Sequence, residues 1–191
     1  VIFGFTLSCL GDNKNYSIIH SPNGNLLSDH ALKASLINYK NVIDYSFLKR
    51  GSDERQYCSP SVNLPITGFS RSKYHTFKEY HTSLDNLKFI SDEGLIGSFN
   101  TLTRIIDACE KSDIYPKSNV VCEPNLGKRS LISTISKKDI KKNKILKNFL
   151  AYCDGNRSIF EISLILNQNI EIVSGISKRL FENKLIKYVK K

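Results

Sequence analysis

The sequence predicts an α/β body followed by a small winged-helix unit. Three observations lead there. Apolar, β-branched runs at Ile2–Leu10, Tyr16–Ile19 and Val42–Phe47 are separated by turns and by one stretch of helical spacing. A polar loop, Gly51–Pro60, follows the last of these runs, in the position where α/β sheets carry their ligands. After Lys137 the apolar spacing changes to three helical segments and a closing strand.

Taken in order, Ile2–Leu10 is a strand closed by Gly11-Asp12-Asn13. Tyr16–Ile19 is a second strand, followed by the turn Ser21-Pro-Asn-Gly24. Ser28 and Asp29 can cap a helix over Ala31–Tyr39, whose Leu32, Leu36 and Ile37 share one face. Val42–Phe47 then leads into the polar loop. A helix is expected from Ile96 to Lys111, and residues 112–136, with Pro116 and Pro124, are expected to connect two bodies. Ile140–Ala151 places Ile140, Ile145, Leu146, Phe149 and Leu150 on one stripe. Ser158 and Glu161 form a capping box for Ile159–Leu166, and Ile170–Asn183 follows after Asn167-Gln-Asn169. Leu185–Val189 ends the chain as a strand. The expected domains are therefore 1–129 and 130–191.

With 191 residues, 40% hydrophobic and 24% charged, the chain has ordinary globular composition and enough length for a real core. No apolar run approaches the roughly 20 residues of a membrane helix. Val1–Leu10 lacks the basic flank of a signal peptide and fits a buried strand. Cysteines 9, 58, 109, 122 and 153 are odd in number and lack a Cys-x-x-Cys pair, which predicts free thiols and a cytoplasmic setting. The absence of methionine and the start within a strand suggest a piece of a longer protein. The net charge of +10 is uneven: residues 130–191 hold 13 Lys/Arg against 5 Asp/Glu. A basic domain invites a polyanionic partner, although Lys-rich composition runs through the whole chain.

Two polar segments about twenty residues apart, Gly51-Ser-Asp-Glu-Arg-Gln-Tyr-Cys-Ser-Pro60 and Glu79-Tyr-His-Thr-Ser-Leu-Asp85, concentrate Asp, Glu, Arg and His. Such side chains bind cations, polarise carbonyls and hold carboxylates. Together with Arg71-Ser-Lys-Tyr74 and Cys122-Glu-Pro-Asn-Leu-Gly-Lys-Arg129, they resemble the aminopeptidase-like proteins of bacterial polysaccharide-biosynthesis loci. The resemblance covers nearly the whole chain, including the terminal winged helix. It implies the fold of zinc aminopeptidases, a central mixed sheet flanked by helices, here incomplete at its N-terminal side. It implies zinc as cofactor and hydrolysis of an amide or acyl bond, with a small peptide or an acylated amino sugar as substrate.

The same resemblance makes His81, in His81-Thr-Ser-Leu-Asp85, a zinc ligand. Asp12, at the end of the first strand, either enters the metal site or simply forms a turn. Asp53 and Glu54 are the catalytic candidates within this chain, with a buried ion pair to Arg55 as the structural alternative. The family's general-base glutamate is expected upstream of residue 1. Arg55 and Arg71 can grip a substrate carboxylate through bidentate hydrogen bonds, and a structural salt bridge explains either as well. Tyr80, with Tyr57 and Tyr74, offers an aromatic wall or core packing. Cys58 with His75 or His81 lacks an orienting third group for nucleophilic catalysis. His20 and His30 are expected at the surface. In the terminal unit the third helix carries Lys178 and Arg179, with Lys184 just beyond, but also Glu171 and Glu182. It shows no base-reading face, so docking to protein is expected ahead of nucleic acid. The alternative to a hydrolase is a peptidase-like scaffold without catalysis.

Overall fold

The computed structural model describes residues 1–111, 114–132 and 137–190, leaving aside the side chains of 111, 137 and 138. The chain divides into two compact units, Val1–Ile105 and Ile106–Lys191.

The first unit is built on a four-stranded mixed sheet. Its strands are β1 (Gly4–Leu7), β2 (Tyr16–Ile19), β3 (Val42–Tyr45) and β4 (Ile66–Ser70), in the spatial order β1-β4-β2-β3. β1 runs parallel to β4 and β2 parallel to β3, while β4 and β2 are antiparallel. The carboxyl ends of β1 and β4 therefore open on one edge of the sheet, and those of β2 and β3 on the other. β4 had no counterpart among the expected strands, yet it is central and every residue in it is buried.

Around the sheet lie α1 (Leu27–Ser35), α2 (Glu54–Tyr57) and α3 (Asp92–Lys111), the last residues of which fall in the second unit. α1 starts one turn earlier than expected. Leu26 is the cap residue and Asp29 is its third helical residue, its carboxylate accepting the Leu26 N–H at 2.9 Å. Asp29 thus caps from inside the helix rather than preceding it. α1 packs on the face of the sheet that carries Thr67, whose hydroxyl donates to Asp29 at 2.9 Å. Ile18, Ala31, Leu32 and Phe69 form the core there, each at most 1% exposed. The alternation of a strand puts Thr6 and Gly68, paired across β1 and β4, on the opposite face.

The second unit contains β5 (Pro116–Ser118), α4 (Lys137–Ala151), α5 (Ile159–Leu166), α6 (Ile170–Glu182) and β6 (Ile186–Tyr188). β5 lies inside the stretch expected to connect two bodies, and pairs antiparallel with β6. The three helices close on Phe149, Phe160, Ile162, Val173 and Leu180, all fully buried. The capping box at Ser158 is present: its hydroxyl accepts the Glu161 N–H at 3.1 Å while the Glu161 carboxylate accepts the Ser158 N–H at 2.8 Å. Not every residue of the predicted stripes is inside. Ile140, Ile172 and Phe181 are 58%, 48% and 49% exposed.

No single described helix is long and apolar enough to cross a membrane. All five cysteines are free thiols.

Candidate functional site

Because β1 and β4 are parallel neighbours, the segments leaving them, Ser8–Asn13 and Arg71–Tyr74, meet at one edge of the sheet. Asp12 ties them together. Its carboxylate is buried and accepts from the Ser72 N–H (2.8 Å), the Ser72 hydroxyl (2.8 Å) and the Lys14 N–H (2.9 Å). The start of α3 presses on the same loop: Ser91 N–H donates to the Gly11 carbonyl at 2.9 Å and Ser98 Oγ to the Leu10 carbonyl at 2.8 Å. Gly94 makes that approach possible, since a Cβ there would stand 2.1 Å from the Gly11 oxygen.

Glu54 is the second organising carboxylate. It is 1% exposed and lies on the Thr6 face of the sheet. One oxygen accepts the Gly51 N–H (2.9 Å), the Ser52 N–H (3.1 Å) and the Tyr74 hydroxyl (2.5 Å), and the other accepts from Thr6 at 3.3 Å. Burial alone pushes a carboxyl pKa up, but the hydrogen bonds from Tyr74, Gly51 and Ser52 outweigh it and hold Glu54 below its ordinary value. Tyr74 is affected in the opposite direction, its phenol pushed up by burial and by the Glu54 carboxylate. Gly51 is required beneath this pair, because a Cβ would meet the Tyr74 ring at 2.6 Å.

Beside Glu54 stands a lysine that sequence reasoning passed over. Lys73 is 6% exposed, its ammonium 3.9 Å from the centre of the Tyr74 ring and 5.6 Å from that of Tyr45, and it donates to the Tyr74 carbonyl at 3.2 Å. Burial lowers its pKa, with the Glu54 charge partly opposing. Cys9 titrates above the usual thiol range because it is buried and because Asp85 and Asp12 are near, with Lys73 pulling the other way. Nothing in Arg71-Ser-Lys-Tyr74 sets the lysine apart in the sequence, and only its packing on two tyrosines does so.

Arg71 is buried at 2% exposure. Its guanidinium lies 3.8 Å over the Tyr16 ring and donates to the Asn13 side chain at 3.0 Å, while Nε and Nη1 have no hydrogen-bond partner among the described residues. Gly97 of α3 covers it, as a Cβ there would meet Nη1 at 2.6 Å.

The second polar segment forms the outer part of the site. His81 is exposed and stacks on Tyr80 at 4.1 Å, and His75 meets Tyr80 edge-on at 4.7 Å. Cys9, His75 and His81 all hold left-handed backbone, with φ of 50°, 60° and 58°. Non-glycine residues enter that region rarely and at a cost, and such positions gather at functional sites.

The predicted site residues thus separate by environment. Asp12, Glu54 and Arg71 are buried and engaged by the protein, whereas Asp53, Arg55 and His81 are exposed and Tyr80 is half-buried. The alternative of a buried ion pair with Arg55 is not what engages Glu54, which is held by hydrogen bonds from hydroxyls and amides. Tyr74 is core and Tyr57 is 44% exposed. The Cys58 thiol is buried, hydrogen-bonded to the Leu64 and Ile66 carbonyls and pushed up in pKa by that burial, which suits a structural role. Among the described residues no three His, Cys, Asp or Glu side chains converge on a common point. With Asp12 spent on three protein donors, these residues do not by themselves complete a zinc centre.

A separate cluster occupies the opposite edge of the sheet. His20, expected at the surface, is largely covered and lies between the Asp29 and Asp44 carboxylates at 3.0 and 2.8 Å. Asp29 also accepts from Ser21 and Leu26. Burial would raise its pKa, but these hydrogen bonds, led by that of His20, hold it far below the carboxylate range. The group secures the start of α1.

Comparison with known proteins fits this architecture. Residues 1–112 match the family model described as Domain of unknown function (DUF4910). The chain belongs to the DUF4910 family. In this DUF4910 chain, residues 113–188 match a winged helix-turn-helix model. A relative from Clostridium acetobutylicum, named "Putative polysaccharide biosynthesis protein with aminopeptidase-like domain", is 32% identical over 193 residues, covering 97% of this chain and 43% of that protein. A crystal structure of a "putative peptidase" from Clostridium acetobutylicum superposes with a TM-score of 0.83 at 27% identity, covering 99% of this chain and 42% of that one. The family resemblance drawn from the four motifs is borne out, as are the peptidase-like mixed sheet and the winged helix. The chain spans less than half the length of the relatives it matches.

Proposed function

We propose that this DUF4910 chain forms one wall of a zinc-dependent hydrolase site in a protein of polysaccharide biosynthesis, acting on an amide or acyl bond. A small peptide or an acylated amino sugar is the substrate class. The observation that carries the reading is the left-handed backbone of Cys9, His75 and His81 beside the buried charges Glu54 and Lys73, at the joint carboxyl ends of β1 and β4. His81, exposed and held against Tyr80, is the zinc ligand this chain would contribute, with the remaining ligands supplied from outside the described residues. When bound, zinc supplies an activated water and polarises the scissile carbonyl. Of the chain's own groups, exposed Arg55 would hold a substrate carboxylate, Tyr80 would face the substrate as a wall and Asp53 would exchange a proton. Glu54 and Arg71 act at one remove, fixing the loops that present them.

One observation favours a second reading, a peptidase-like scaffold without catalysis. Both buried carboxylates of the site, Asp12 and Glu54, are already engaged by three and four protein donors. Zinc content of the full-length polypeptide, wild type against His81→Ala, separates the two. Stoichiometric zinc that disappears in the variant supports the hydrolase and directs aminopeptidase and deacylase assays. Zinc-free protein after reconstitution moves the function to the scaffold.

A further inference from the structure

We propose that the second unit binds the phosphate backbone of duplex nucleic acid, and does so through α4 rather than through α6. In helix-turn-helix proteins the helix after the tight link is the one that enters the major groove, and α6 holds that position. Its exposed surface does not suit the task. Glu171 and Glu182 cancel Lys178 and Arg179, and Ile172 and Phe181 are each about half exposed.

The opposite character is found on α4. That helix buries Leu146, Phe149 and Leu150, which turns Lys141, Lys144 and Asn148 outward at spacings of three and four residues. Lys147 flanks them, also exposed, whereas the exposed Lys142 lies on the Leu146–Phe149 side at the start of the helix, and Asp139 is the helix's one acid. Lys147 pairs with Glu123 at 2.9 Å, while among the described residues Lys141, Lys142 and Lys144 have no carboxylate at ion-pair distance. Lys144, Lys147, Asn143 and Asn148, together with Glu123, Ile132 and Ile140, line a cleft of about 380 Å³. Lys128 and Arg129, from the same unit, line a second one of about 580 Å³.

Charge complementarity selects the partner. A duplex presents about one negative charge per 1.7 Å of axis, and a file of lysines answers it with point charges that need no base contact. Among the described residues neither cleft has an aromatic lining residue. Stacking platforms of that kind are what single strands require. The expected mode is therefore duplex binding without sequence preference.

Fluorescence anisotropy with a labelled duplex of about 20 base pairs, titrated between about 50 and 200 mM salt, tests this on the whole chain. Binding should weaken steeply with salt, with a log–log slope of about −3 to −4. Lys141→Gln with Lys144→Gln should lower affinity about tenfold or more and reduce the slope by about 1.8, at unchanged melting temperature. Lys178→Gln with Arg179→Gln should leave both as they were. Absence of binding at the lowest salt would overturn the proposal. So would equal loss from the α6 pair, tighter binding of a single strand, or tighter binding of heparin, a sulfated glycan, than of the duplex.

Discussion

Replacing Glu54 distinguishes a carboxylate that holds loops from one that performs chemistry. Four donors converge on it: two amides, the Tyr74 hydroxyl and the Thr6 hydroxyl. Glu54→Ala strands them in a site that is 1% exposed. Each stranded donor costs about 1–3 kcal/mol, and the two amides lie near enough to the surface to recover part of it, so a total of roughly 3–6 kcal/mol is expected. Glu54→Gln is different. Three of the four donors meet the same oxygen, which the amide oxygen of glutamine can replace, and the amide nitrogen then faces Thr6 Oγ1, which can accept. Only the charge assistance is lost, about 1–2 kcal/mol. Urea unfolding of the first unit, followed by tyrosine fluorescence, measures both, and a cost below about 1 kcal/mol for Glu54→Ala would refute the network as the reason for this residue. The pH dependence gives a second measure. The folded Glu54 pKa lies below its ordinary value of 4.5. Its contribution is thus complete above that value and is lost as pH falls through the lower folded pKa. Glu54→Gln should remove this component of the acid sensitivity. If the full-length protein hydrolyses a substrate, Glu54→Gln should retain most of the rate, whereas a general base at this position would lose it.

Two further substitutions probe the frame of each unit. Gly94→Ala sets a Cβ 2.1 Å from the Gly11 carbonyl and 2.6 Å from that of Asp12, both backbone atoms that cannot rotate aside. α3 must then lift from the Asp12 loop, and thermal melting should show a loss of about 2 kcal/mol or more, against the slight gain alanine gives in an unobstructed helix. Ser158→Ala removes the hydroxyl that accepts the Glu161 N–H, and a loss of about 1 kcal/mol confined to the unfolding of the second unit is expected. A cost spread over both transitions would show that the units do not unfold independently.

Legibility in the sequence followed how local each cause was. The α5 cap was visible because Ser158 and Glu161 sit three residues apart and need nothing else. The strands β1, β2 and β3 were visible as apolar runs with turns behind them. β4 was not, since Pro65, Thr67, Gly68 and Ser70 break the apolar pattern. It is a strand because both of its sides are paired, and Thr67 tolerates complete burial because Ser28 and Asp29 take its hydroxyl. Asp29 was misplaced at the start of its helix for a related reason: an acid in the first turn can cap from within, and the sequence does not say which residue supplies the oxygen. Lys73 was invisible because its environment is made by Tyr45, nearly thirty residues away, and by the ring of its own neighbour.

The site shows the same division at finer scale. The motif acids that attract attention as chemistry, Asp12 and Glu54, are the ones the fold consumes: each fixes loop backbone beside the sheet, Asp12 with three donors and Glu54 with four. Protonating such a carboxylate weakens the hydrogen bonds that hold its loop, and the lowered pKa of Glu54, where those bonds outweigh its burial, has that origin. On the proposed function, contact with a substrate or metal would fall to groups with unspent capacity on the same loops. These are His81 and Tyr80, stacked at the rim, and Asp53 and Arg55, which flank Glu54 in sequence and are exposed where it is buried. Gly51-Ser-Asp-Glu-Arg thus carries an anchor at its fourth residue, and on the proposed function it offers a working surface on either side of it.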